Sequence, residues 1–336
     1  MTEATEIATE AAVARPPIAP LAAPDDPVPD GGYRWWYLDA TSDDGRHALT
    51  AIVFIGSVFS PWYTFARRRR GAVPALEHCA VNVALYGPSA RWAMTERAAS
   101  SVRADATSLS IGRSRLDLAT DVWRLDVDER AAPSGRRLRG TIEVDAGRPR
   151  VPAMTLDAAG QHHWQPVRPQ TRLRVRMEDP ALSWEGTAYV DTNRGDVPLE
   201  HTFATWHWSR AHATDGSTLI RYDVVERNSG VPAASRTLSI APDGALRVAP
   251  DGERHELAPT RWFRMARPTR LRDGARAVDL CTFEDTPFYS RSHFHECIGD
   301  ERHSVVHESL DMRRFTHPAV QCLLPFRTPR RSSRVT

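Results

Sequence analysis

Lysine is missing from this chain: all 44 of its Lys+Arg residues are arginine. That excludes a lysine Schiff base and a phosphate-loop lysine. The sequence also lacks a GxSxG elbow, a GxGxxG after a strand and a GxxxxGK[ST] loop, which removes several large enzyme classes. Cysteine is scarce. Cys79, Cys281, Cys297 and Cys322 form no CxxC pair and read as reduced, mostly buried thiols of a cytosolic protein. No apolar run approaches the length of a membrane-spanning helix. Net charge is only +2 over 336 residues, so there is no electrostatic case for a nucleic-acid partner. The first thirty residues have neither the basic start nor the apolar block of a signal peptide. Their Ala and Pro content reads as a disordered leader.

Aromatic residues are plentiful: ten Trp, ten Phe and seven Tyr can build a sizeable core. From Gly31 onward the pattern alternates. In "TRLRVRM", Leu173, Val175 and Met177 share one face, and Arg172, Arg174 and Arg176 the other. "WRLDVDE" and "GTIEVD" repeat the period of two, which is the period of a strand. Turn signals such as "DDGR", "PSG", "DAGRPR", "NSG", "PDGA" and "PDGE" separate these segments, as in hairpins. One short helix is expected near the end, with Thr316 as N-cap and Pro318 in its first turn.

Two segments echo each other at an offset of 171 residues. Trp35, Tyr37, Ala40, Asp44 and Gly45 fall on Trp206, Trp208, Ala211, Asp215 and Gly216. The fold expected is all-β, with two antiparallel barrel-like halves joined near Asp196. Small barrels hold either packed side chains or one apolar ligand.

Four segments bear on chemistry. In "HFHEC", His293 and His295 share a strand face, yet a clear third metal ligand is lacking. "QHHW", Gln161 to Trp164, is a weaker metal candidate. "FIGSVFSPWYTFARRRRG" runs from apolar strand through an aromatic loop to four arginines. It fits a solvated strand end, and it fits an interfacial tip over lipid phosphates. "LSWEGTAYVDTNRGDVP" places Glu185, Thr187, Tyr189 and Asp191 on one face of a strand and Trp184, Gly186, Ala188 and Val190 on the other. By pattern alone, Tyr189 and Asp191 fit a wet face ending in an Asx-type turn as well as an inward pair.

The segments "GGYRWWYLDA", "IVFIGSVFSPWY", "HCAVNVALYG", "RWAMTER", "HHWQPVRP", "WEGTAYVDTNRGD" and "HESLDMRRFTHPAVQCLLPFR" occur in this order. Together they resemble the carotenoid 1,2-hydratase (hydroxyneurosporene synthase) family over roughly Gly31 to Arg327. The resemblance implies two lipocalin-like domains, 31–196 and 197–328, between the leader 1–30 and a disordered tail 329–336. It implies cofactor-free addition of water to the terminal C1–C2 double bond of acyclic carotenoids such as neurosporene and lycopene, in photosynthetic bacteria. No metal or other cofactor is expected. The site residues it implies are Trp164, Tyr189 and Asp191, with Asp191 the acid. The partners expected are carotenoid, water and membrane lipid. The location expected is cytoplasmic, peripheral to the inner membrane, with the Phe59–Arg70 tip as the contact. The turn after the acid, "TNRGD", leaves substrate preference open.

Such a reaction needs a proton donor and stabilisation of a tertiary cation. Desolvation in an apolar tunnel keeps a carboxyl protonated at neutral pH. Trp164 and Tyr189 then face the cation with their π clouds, or Tyr189 orients the water through its hydroxyl. Glu185 is a second candidate for proton relay. Two other classes fit the same cavity: a lipocalin-like carrier of lipid or carotenoid, and a polyene cyclase or isomerase.

Overall fold

A computed structural model of the chain describes residues 18, 20–147, 151–213, 215–227 and 232–331, with 232–235 described by backbone alone. Its strands form two large antiparallel sheets and one small hairpin, Glu253–Leu257 with Arg267–Leu271. The first sheet takes its strands from 33–195, apart from the short parallel edge strand Arg330–Arg331, in an order that puts Tyr33–Ser42 between Ala48–Ile55 and Leu182–Gly195. The second takes its strands from 203–311 and puts Phe203–His212 between Thr218–Glu226 and Glu301–Asp311. In each half the first strand pairs with the last.

The first sheet curls into a barrel. Where it closes, Ala132 N–H donates to the Trp92 carbonyl at 3.0 Å, and Arg97 makes a buried two-pronged pair with Glu129 at 2.9 Å. Strand alternation sorts the aromatics. Trp36, Leu38, Trp184, Ala188 and Val190 pack inside this barrel, whereas Trp35, Tyr37, Trp164 and Tyr189 pack against Trp206, Trp208, Tyr222 and Leu310 of the second sheet. The barrel interior is full: the space left beside Trp36, Leu38 and Trp123 is ≈ 10 Å³, at or below the room one water needs. The larger cavities described below lie between the sheets instead.

The 171-residue echo is also a contact. The Tyr37 ring stands edge-on to Trp208 at 5.8 Å, and Asp39 is ion-paired with Arg210. Gly45 and Gly216 both adopt positive φ, 67° and 81°, which explains glycine at both turns.

Several sequence expectations need correction. "SPWYTFARRRRG" contains a helix, Pro61–Arg70. The Ser60 side chain accepts from Trp62 N–H, Pro61 sits in the first turn, and Gly71 ends it at φ 76°. The C-terminal helix Pro318–Leu323 is capped by His317, while Thr316 terminates the preceding turn Met312–Phe315. Only Cys79 is buried; Cys281 and Cys322 are exposed and Cys297 is half-buried. Of the expected leader, residues 1–17 and 19 lie outside the described residues. Leu21 and Val28 pack on the core, and Arg34 donates to the carbonyls of Ala23 and Asp26. Of the expected tail, 332–336 lie outside, and Arg330–Arg331 adds to the Arg91–Arg97 strand. The expected "NSG" turn and 148–150 of "DAGRPR" also lie outside the described residues. Among the described residues, no helix is long and apolar enough to cross a membrane.

Candidate active site

Leu182–Gly195 is one strand, paired on one side with Tyr33–Ser42 and on the other with His162–Asp179. Its alternation turns Tyr189 and Asp191 toward the second sheet. The Trp164 indole N–H donates to Asp191 Oδ2 at 2.8 Å, and the Tyr189 hydroxyl donates to the same oxygen at 2.8 Å. Asn193 Nδ2 approaches Oδ1 at 3.3 Å. The three residues expected from the sequence therefore meet at one carboxyl group, which is 4% exposed.

All three donors are neutral. Burial pushes the Asp191 carboxyl up to about 8, although the bonds from Trp164 and Tyr189 pull it down. At neutral pH this group is mainly a protonated acid. The nearby Asp39 has the opposite fate. Burial raises it too, but the guanidiniums of Arg210 and Arg291 outweigh that and leave it below the usual carboxylate range.

Asp191 opens on a cavity of ≈ 50 Å³ lined by Trp35, Tyr37, Phe59, Trp206, Trp208 and Tyr222, with Asn193 and Glu308 also in its wall. A second cavity of ≈ 100 Å³ adjoins it. Ile52 and Phe59 belong to both walls. The second space continues past Phe54, Met94 and Phe288 to Leu324 and Arg327. The two spaces thus meet at Ile52 and Phe59, one beside the acid and the other beside the C-terminal helical segment.

Two of the expected site residues stand apart from the cavity wall. Trp164 and Tyr189 are buried behind the carboxyl and hold it by hydrogen bonds. The π faces around the cavity come from Trp35, Trp206, Trp208 and Tyr222. Glu185, expected as a relay, lies on the surface in an ion pair with Arg174, which holds it below the usual range. His293 donates to or accepts from Ser304 at 2.8 Å, and His295 has the Arg302 guanidinium at 2.9 Å; a neighbouring cation disfavours metal there. Arg67, expected at an interfacial tip, is buried, bonded to Glu200 at 2.6 Å and stacked over the Tyr63 ring. Phe59 faces the cavities rather than solvent.

The family model for carotenoid hydratase CrtC matches residues 51–336. The chain belongs to the carotenoid hydratase family. It is 45% identical over 304 residues to an acyclic carotenoid 1,2-hydratase of Thiocapsa roseopersicina, covering 90% of this chain and 74% of that one. To the protein of the same description from Rubrivivax gelatinosus it is 39% identical over 310 residues, covering 92% and 76%. Two solved structures share the fold. A putative AttH from Nitrosomonas europaea has a TM-score of 0.55 at 15% identity, covering 83% of this chain and 92% of that one. Kievitone hydratase from Nectria haematococca has 0.52 at 8%, covering 87% and 98%. In this carotenoid hydratase family member, sequence reasoning missed Tyr37, Trp208, Asn193 and Glu308. The aromatic echo was the one signal pointing to the first two.

Proposed function

We propose that this protein is an acyclic carotenoid 1,2-hydratase, a hydro-lyase working by Brønsted acid catalysis with its own side chains. Asp191 protonates C2 of the terminal double bond, a tertiary cation forms at C1, and water adds there to give the 1-hydroxy product. The observation that carries this reading is the buried Asp191 carboxyl, held by the neutral donors Trp164 and Tyr189 and lining a cavity walled by aromatic side chains. Trp164 and Tyr189 fix the carboxyl's orientation and keep one oxygen supplied with donors. The cavity aromatics face the developing cation, each such contact contributing about 2 kcal/mol when dry. One water takes about 10–15 Å³ of such space, so the ≈ 50 Å³ pocket has room for the water that adds.

The two lipocalin-like domains of this reading are 31–196 and 197–328, and their facing sheets supply the two walls of the site. Carotenoid is collected from the cytoplasmic face of the membrane by reversible contact. The exposed apolar groups that suit this are Phe65 on the Pro61–Arg70 helix and Leu323 and Phe326 at the C-terminal helices. Arg68, Arg69 and Arg70 stand exposed beside Phe65, where lipid phosphates would meet them.

Incubation of purified protein with lycopene in liposomes, followed by product mass analysis, tests the function. The expected product has gained one water. Unchanged lycopene would favour a carrier, and an isomer of equal mass would favour a cyclase.

A further inference from the structure

Each half of the molecule pairs its first strand with its last, and the registers can be laid over one another. In the first half Tyr37 lies opposite Asp191. Its echo in the second half, Trp208, lies opposite Glu308. Glu308 is therefore the positional counterpart of Asp191, and both carboxyl groups line the same ≈ 50 Å³ cavity. Their surroundings differ in one respect. Asp191 has only neutral donors, whereas Glu308 is ion-paired with Arg291. Arg291 and the Tyr37 hydroxyl both address Glu308 Oε1, the latter at 2.8 Å. The side chain stays 13% exposed although its partner is 2% exposed, and the cavity is what it opens on. Asp39 is no alternative: Arg210 and Arg291 take both its oxygens, and it is fully buried. Two further cavity groups, Asn193 Oδ1 and Trp208 Nε1, are buried without a hydrogen-bond partner among the described residues, an acceptor and a donor available to a water.

We propose that Glu308 is the base that receives the proton of the adding water, a catalytic role that rests on Asp191 being the acid. The C1–C2 π pair takes the Asp191 proton at C2, and the water oxygen bonds to C1. One O–H bond of that water then breaks, its proton passing to the Glu308 carboxylate. No electrons leave the carbon chain, and the proton returns from Glu308 to Asp191 through water in the shared cavity. Burial raises the Glu308 carboxyl as it does Asp191, but at Glu308 the Arg291 guanidinium and the Tyr37 hydroxyl oppose that rise; the ion pair, which Asp191 lacks, is what suits Glu308 to the base and Asp191 to the acid.

The test runs lycopene hydration in deuterated water. Wild type should give hydrate carrying deuterium at C2. Glu308→Gln should lower hydrate formation about 10²–10⁴-fold, the usual worth of a positioned base. Protonation should persist in that variant, so azide, an anion that needs no base in order to add, should still capture the C1 cation as a 1-azido product with deuterium at C2. Glu308→Asp should restore part of the hydration. Glutamine can still accept from Tyr37 and Arg291, and Arg291 keeps Asp39, so the fold should survive; circular dichroism checks this. Near-normal hydration by Glu308→Gln would overturn the inference, and so would joint loss of hydration and azide capture. Azide capture persisting in Asp191→Asn would instead overturn the acid assignment, and this inference with it.

Discussion

Asp191 is raised from 3.8 to about 8, mainly by burial, and that shift has a sign for stability as well as for catalysis. The folded chain holds this proton more tightly than the unfolded chain does. Stability is therefore lost as pH climbs from the ordinary carboxylate range through about 8, by on the order of 5 kcal/mol once ionisation is complete. Asp191→Asn removes that loss. It should melt above wild type at pH 9 and show a smaller advantage at pH 5, while losing hydration at both. The same group sets the alkaline limb of activity, so kcat/KM should fall as pH rises past about 8. The bonds from Trp164 and Tyr189 lower this pKa. Trp164→Phe should accordingly move the limb to higher pH, and a pH–rate profile measures it. Asp191, Tyr189 and Trp164 were legible through strand alternation joined to the family resemblance. Glu308 was not, because in "HESLD" it alternates like any strand residue. Its meaning comes from the register with Trp208 and the contact with Tyr37, which no local pattern encodes.

Among the elements, the Pro61–Arg70 helix shows where period-based reading fails. Its apolar and basic residues are segregated along the chain rather than around the helix, so the 3.6-residue period is weak. Its capping signals were present nonetheless: Ser60, Pro61 and Gly71 mark its ends. The four arginines also divide. Arg67 is buried against Glu200, and removing it strands a buried carboxylate, which typically costs about 3–5 kcal/mol. Arg68 to Arg70 are exposed. Arg67→Ser should therefore lower the melting temperature. Phe65→Asp with Phe326→Asp should instead leave melting nearly unchanged and weaken association with anionic liposomes. Vesicle flotation and thermal melts of the two variants separate the effects; a Phe65/Phe326 variant that floats like wild type would place the lipid contact elsewhere. The strands were easier to read. The period of two survives where a strand packs one face on the core, as in Val122–Arg130 and Arg137–Asp145, and turns such as those at Gly45 and Gly216 carry glycine where φ is positive.

For the whole molecule, the decisive feature is that the halves meet through their own repeated positions. Tyr37 packs on Trp208, and Asp39 reaches Arg210 and Arg291 of the second sheet. The sequence echo announced two similar halves but could not say that their echoing strands face each other. The sequence left a barrel interior open to packed side chains or an apolar ligand, and the cavity that Asp191 lines lies between the sheets. Asp39→Ala would leave two buried guanidiniums short of a carboxylate. It should cost about 3–5 kcal/mol in denaturant unfolding, with hydration lost in proportion as the facing walls separate. The whole account depends on one protonation state, and infrared difference spectroscopy of wild type against Asp191→Asn reads it directly. A protonated-carboxyl band should be present at pH 7 in wild type, absent in the variant, and should vanish with a midpoint near 8 together with activity. A band that disappears near pH 4, with hydration undiminished at pH 7, would contradict Asp191 as the acid.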